Sequence, residues 1–317
     1  MITVGILANN PVWEEYLSAF AQGGPFRISG RAADLSPDFL KSESCLNNSD
    51  VIWIPEITPN SIETAIHSLR GSRHVLLGFP VADFQGTVAQ MVNLAREANV
   101  DVQVGHHDRY HPAFRTILDC LQAPQFVKLH HQQKAFIQAD NEQLLLQQIL
   151  YDVDAILALI KHPLKKVSAH ISRINEDIGR VIDIRLDFHN GSAASINFSN
   201  LGLADERTIE ITDHQNLYFI DFKDGSAKSF NYENGIAKES LLWPLEGGLG
   251  QNKGIVDAES LTRECVSFFR RKALNRKPLA SIEEGYEALQ ITEIILKKIG
   301  IKKANNINIK FMENNIH

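Results

Sequence analysis

The chain changes rhythm near residue 120, and that change constrains its fold more than any other feature. Before it, short apolar runs alternate with helical stretches. Ile2 to Leu7, Phe26 to Ser29, Val51 to Ile54, His74 to Leu77 and Val100 to Val104 read as strands. Helical stretches lie between them at residues 12–22, 61–69 and 87–98, the last with Val88, Met91, Val92 and Ala95 on one face. Strands separated by helices of about ten residues make βαβ units, hence a parallel sheet with right-handed crossovers. After residue 120 strand-like runs follow one another at 126–136, 167–174, 181–188, 193–198, 208–212 and 217–222, interrupted by one long helix at 142–161. His189-Asn-Gly-Ser192 and Lys223-Asp-Gly-Ser226 read as hairpin turns. Residues 231–256 are polar and glycine-rich and read as a long loop, with helices at 258–273 and 282–299 closing the fold. The expectation is an α/β domain over 1–118, followed by an α+β domain over 119–317 with an open, mainly antiparallel sheet. The last helix is expected to contribute to both.

Composition supports two domains and excludes several partners. With 317 residues, 44% of them apolar, the chain is too long for one comfortable core and too apolar to stay disordered. A net charge of −6 with well-mixed signs builds no basic field for nucleic acid. Cys45, Cys120 and Cys265 are far apart, which suits neither a disulfide framework nor a zinc site and predicts reduced core thiols. The chain enters its first strand without a basic leader, and no apolar run approaches ~18 residues. A soluble, cytoplasmic protein with no membrane partner is expected. The strand at 181–188 has apolar residues on both sides, with Ile182, Ile184 and Leu186 set against Val181 and Phe188. A sheet face left uncovered in one chain predicts a homodimer or homotetramer.

Several local strings follow one another in a telling order. Asp50-Val-Ile-Trp-Ile is followed by Thr58-Pro-Asn60, and then by Arg73-His-Val-Leu-Leu-Gly-Phe-Pro-Val-Ala82. Val104-Gly-His-His-Asp-Arg-Tyr-His-Pro-Ala-Phe114 comes next, then Leu144-Leu-Leu-Gln-Gln-Ile-Leu-Tyr-Asp-Val-Asp154, then Phe268-Phe-Arg-Arg-Lys-Ala-Leu-Asn-Arg-Lys-Pro278. In order and spacing the chain, over residues 2–299, resembles the glucose–fructose oxidoreductase / inositol dehydrogenase (Gfo/Idh/MocA) family. The resemblance implies a Rossmann-like dinucleotide-binding domain first, a substrate and oligomerisation domain second, and NAD or NADP with a small ligand between them.

Carried over residue by residue, the resemblance meets several departures. Ala8, Asn10 and Trp13 stand where the phosphate loop has its three glycines, which normally admit the pyrophosphate to a helix N-terminus. A plain turn with Pro11 opening the helix explains the same residues. Arg31, near the end of the second strand, suits a 2′-phosphate or a stack on adenine, and equally a solvated surface. Gly78-Phe-Pro80 replaces the family's Glu-Lys-Pro, and Phe79 has no proton to move. Biliverdin reductases, related to this family, also carry an aromatic residue there. Gln147 and Tyr151 occupy the family's Asp-x-x-x-His positions, one helical turn apart. An ordinary phenol pKa near ~10 makes Tyr151 a poor base unless a cation lowers it. His107 stands where the family has an Asn, and Arg109 matches a structural Arg. His106, His111 and Asp108 do not make a metal site without partners to orient them. His130 and His131 point to opposite faces of a strand.

The sequence thus yields an NAD(P)-dependent oxidoreductase. Tyr151 and Gln147 would be its catalytic pair, with Ala8, Asn10, Arg31, Thr58, Pro59, Asn60, Gly78, Pro80 and His107 around the cofactor. The alternative is a relative that has lost catalysis and serves as a ligand-binding or regulatory protein, which the three departures at loop, lysine and histidine favour together.

Overall fold

The inner strands of the first half, Ile2–Leu7 and Val51–Ile54, are buried on both faces, which is why they read as apolar runs. In this computed structural model the described residues are 1–9, 13, 26–32, 47–55, 57–78, 85–134, 142–173, 179–233, 236–243 and 258–301. The first sheet comprises β1 (Ile2–Leu7), β2 (Phe26–Ala32), β3 (Val51–Ile54), β4 (His74–Leu77) and β5 (Val102–Val104). Its order is β2-β1-β3-β4-β5, all parallel. Helices α1 (Pro59–Arg70) and α2 (Gln85–Glu97) make the crossovers after β3 and β4. The expected helix at 12–22 and the loop residues Asn10, Phe79 and Pro80 lie outside the described residues, apart from Trp13.

The two faces of the parallel sheet feed two cores. On β3, Ile52 and Ile54 enter a large cluster with Ile62, Ala65 and Leu69 of α1, while Val51 and Trp53 enter a smaller one. The smaller cluster is closed by α5 (Ala258–Ala273), which presents Cys265, Phe268 and Phe269 at helical spacing, all fully buried. Burying each phenyl ring contributes about 1.5–3 kcal/mol. A C-terminal helix therefore completes the N-terminal sheet. The last helix, α6 (Ile282–Lys298), packs against both β5 and the second sheet's β7.

The second sheet has eight strands: β6 (Phe126–Lys134), β7 (Leu164–Arg173), β8 (Arg180–Phe188), β9 (Ala193–Gly202), β10 (Glu206–Thr212), β11 (Asn216–Asp221), β12 (Ser226–Glu233) and β13 (Ile236–Trp243). Its order is β13-β12-β11-β10-β6-β9-β8-β7. All pairs are antiparallel except β6 with β9, so hairpin logic fails at one place. β9 and β10 are consecutive, yet β6 lies between them and bonds to both. Helix α3 (Pro112–Cys120) leads into β6, and α4 (Glu142–Leu159) follows it.

Three further expectations are corrected. Part of the stretch read as a loop at 231–256 is the β12–β13 hairpin, in which Glu233 pairs with Ile236. Phe188 shares the even-numbered face of β8 with Ile182, Ile184 and Leu186, and all four are buried. Only Val181 stands among the polar residues Asp183, Arg185 and Asp187 on the other side, because strand side chains alternate strictly. Cys120 is exposed at the end of α3, whereas Cys265 is a core thiol. Among the described residues no helix is long and apolar enough to cross a membrane.

Candidate functional site

In a parallel sheet every strand points the same way, so the segments leaving β1 to β5 gather along one edge, where ligands of such folds bind. β1 runs on to Ala8, which is fully buried and donates its N–H to Ala32 O at 3.1 Å. Arg31, in register with Ile6, turns its guanidinium onto the same corner: Nη1 donates to Ala8 O at 3.1 Å and Asn9 O at 3.4 Å. The structure thus brings Ala8 and Arg31 together.

After β3 the chain passes Thr58 into α1. Thr58 Oγ1 accepts from Ser61 N at 3.1 Å, and Thr58 N donates to Ser61 Oγ at 2.7 Å. This reciprocal cap, with Pro59 in the first helical turn, fixes where α1 begins and leaves its positive end at the sheet edge. Asn60 is exposed in that first turn. Gly78, at the end of β4, donates its N–H to Ile54 O at 2.6 Å. A Cβ there would lie 2.1 Å from Pro55 O, so only glycine fits so close to the backbone after β3. Trp13 meets Trp53 edge to face, with centroids 5.7 Å apart; an indole packs beside β3 where the resemblance implies a glycine.

Against the 3-10 turn (His107–Tyr110) that follows β5 lies α4. Gln147 and Tyr151 are one turn apart, partly buried, and their side chains hydrogen-bond. Burial raises the Tyr151 phenol well above its ordinary range; Asp108 and Glu264 push it further, and Gln147 and Arg207 only partly offset this. Tyr151 is therefore a protonated phenol at neutral pH, contrary to the lowered value a basic role requires.

The segment after β5 is the hub between the halves. It forms a 3-10 turn (His107–Tyr110), which begins with the backbone of His107. Arg109 Nε and Nη2 donate to Asp154 of α4 at 2.9 and 2.6 Å, and Nη1 lies 3.1 Å from Glu284 of α6. His106 Nδ1 is 3.2 Å from Asp154 Oδ2. Burial alone would raise the Asp154 carboxyl, but Arg109 and His106 more than offset it and hold it well below the usual carboxylate range. Arg207 of β10 makes a second tie, with Nη2 2.7 Å from Asp108 and 3.0 Å from Asp152. It lies over the Phe222 ring at 4.6 Å. Asp152 also meets His131 Nδ1 at 2.8 Å. Burial works against both guanidinium charges, and the carboxylates more than compensate.

A third tie is uncharged. Glu264 Oε1 accepts from Gln103 Nε2 at 3.0 Å and His106 N at 3.1 Å, and Gln103 Oε1 accepts from the Tyr110 hydroxyl at 3.0 Å. Burial pushes the Glu264 carboxyl up to about 8, with its two donors opposing and Asp154 adding to the rise. Asp152, Asp154, Arg207 and Glu264 were not singled out in the sequence. The available signal was acidic residues embedded in apolar helices, Asp152 and Asp154 beside Val153 and Glu264 beside Cys265. Among the described residues no cluster of His, Cys, Asp or Glu is arranged to hold a metal ion.

The joining of one parallel and one mainly antiparallel sheet at such a hub recurs in solved structures. No family model matches the chain, and no curated protein matches it. UDP-N-acetylglucosamine 3-dehydrogenase GnnA from Acidithiobacillus ferrooxidans superposes with a TM-score of 0.73 at 16% identity, covering 94% of this chain and 97% of that one. An oxidoreductase from Agrobacterium radiobacter, solved with NAD+, L-tartaric acid and magnesium, gives 0.73 at 13%, covering 94% and 96%. Biliverdin reductase from Synechocystis, solved with biliverdin and NADP+, gives 0.65 at 14%, covering 94% and 99%. The chain has the fold of the Gfo/Idh/MocA-type dehydrogenases.

Proposed function

We propose that the protein is an NAD(P)-dependent oxidoreductase acting on a small ligand between the edge of the parallel sheet and α4. The observation that carries this is the Gln147–Tyr151 pair, hydrogen-bonded on the helix that faces the segment after β5. The sheet edge fits a dinucleotide in its donor set: the Arg31 guanidinium at Ala8 and Asn9, and the capped N-terminus of α1 behind Thr58, Pro59 and Asn60. Trp13 departs from the usual close turn, so the chain would rely on Arg31 for positive charge at that corner. The nicotinamide, when bound, supplies the hydride chemistry.

The chain's own residues then have limited tasks. Tyr151, held as a phenol, donates a hydrogen bond or a proton to an oxygen of the ligand. Gln147 fixes the direction of its hydroxyl. The ion pairs of Arg109 and Arg207 keep α4 seated against the 3-10 turn. A phenol of this kind suits reduction of an activated acceptor better than deprotonation of an alcohol.

The same raised phenol favours the second reading, a ligand-binding or regulatory protein without turnover. Variants of the pair separate the two. Tyr151→Phe removes one hydroxyl, so in an enzyme it abolishes turnover while ligand binding stays within a few fold. If turnover survives in that variant, Tyr151 is not the proton donor. Activity that appears only in Phe79→Lys with Tyr151→His would identify the natural chain as a binding protein.

A further inference from the structure

We propose that Glu264 is a proton-dependent positioning residue. Carrying its proton, it pins the corner between β5 and the 3-10 turn to α5; losing it loosens the segment that bears His107, Asp108 and Arg109. Its importance for cofactor placement rests on the oxidoreductase reading, whereas the latch itself does not.

The geometry is asymmetric. One carboxyl oxygen, Oε1, takes two N–H donors, from the side chain of Gln103 on β5 and the backbone of His106. The other, Oε2, has no hydrogen-bond partner among the described residues, and Glu264 is 1% exposed. The other cross-links of this hub pair a carboxylate with a cation: Arg109 with Asp154 and Glu284, and Arg207 with Asp108 and Asp152. Among the described residues Glu264 has no cation in hydrogen-bond contact. Facing it are Asp154 and Tyr151 of α4, Arg109, Tyr110 and His106 of the β5 corner, Gln103 of β5 and Cys265 beside it on α5. Arg109 is the cation in this set, and it is already committed to Asp154 and Glu284. A charge on this carboxyl would therefore be buried without a cation of its own, and a proton on Oε2 replaces that cost by the smaller one of an unpartnered O–H.

The direction of the pH effect follows. The folded carboxyl titrates far above the exposed one, so the closed corner binds a proton that the open corner releases. Stability of the latch is complete below the ordinary carboxylate range and declines as pH rises towards about 8, above which it levels off. The opening equilibrium grows by up to about tenfold per pH unit across that window.

Hydrogen exchange of the segment 102–110 from pH 5.5 to 8.5, corrected for intrinsic rates, tests this. Wild type should lose protection as pH rises. Glu264→Gln, whose amide oxygen accepts the same two donors without titrating, should hold a flat profile, and Glu264→Ala should be open throughout. Parallel profiles in wild type and Glu264→Gln would overturn the proposal, as would Glu264→Gln being as open as Glu264→Ala. NADPH titrations of the same proteins form a separate arm. Its affinity should weaken over the same pH window in wild type and stay constant in Glu264→Gln. If neither NADPH nor NADH binds either protein at any pH, the oxidoreductase reading fails while the exchange profiles still decide the latch.

Discussion

Arg109 and Asp154 form a fork-to-fork ion pair, at 2.6 and 2.9 Å, between the segment that leaves the parallel sheet and the helix that carries Gln147 and Tyr151. Both side chains are almost wholly buried. Removing one partner strands the other charge, so Arg109→Met should destabilise the protein by about 3–5 kcal/mol in denaturant unfolding. A loss below about 1 kcal/mol would mean the pair is solvated in solution. The sign with pH is opposite to that of Glu264. Asp154 is depressed in the folded state, so its contribution is full above the ordinary carboxylate pKa and fades as pH falls through its folded value. Wild type should therefore lose stability below about pH 4 more steeply than Asp154→Asn.

Gly78 is held by a close approach. Because an added Cβ would meet Pro55 O at 2.1 Å, Gly78→Ala must push β4 away from the chain after β3. A cost of about 1–3 kcal/mol and a lower Tm are expected. An unchanged Tm would show that this approach relaxes freely.

The second sheet pairs charges within itself, Lys128 with Glu210, Arg185 with Asp187 and Lys228 with Glu239, and Asn197 donates a hydrogen bond to Asp183. A face neutralised laterally is suited to burial against a second copy, and we propose a homo-oligomer through it. Light scattering at micromolar concentration should give a multiple of the 35.5 kDa chain mass. A single-chain mass would remove the proposal.

What was legible in the sequence was what local chemistry determines. Val51 to Ile54 is apolar throughout because both faces are covered, and the turns at Asn190-Gly191 and Asp224-Gly225 need the positive φ of glycine, +89° and +64°. β12 and β13 were missed because their polar residues, such as Lys228 and Glu239, mask the alternation, although Asn234-Gly235 is itself a hairpin signal. The β6–β9 pairing joins segments separated by α4 and two strands, which no short pattern encodes. Likewise Arg109 meets Asp154 across 45 residues, Arg207 meets Asp152 across 55, and Glu264 meets Gln103 across 161. The Gln147–Tyr151 contact was legible because it is one helical turn, but the burial that keeps Tyr151 protonated is built by distant elements, with Asp108 adding to it.

The central claim is a dinucleotide at the edge of the parallel sheet, with Arg31 supplying charge beside Ala8. Titrating the purified protein with NADPH and with NADH, followed by nicotinamide fluorescence, tests it most directly. The account predicts saturable binding of at least one of them, weakened by Arg31→Ala. No binding of either at millimolar concentration would contradict it.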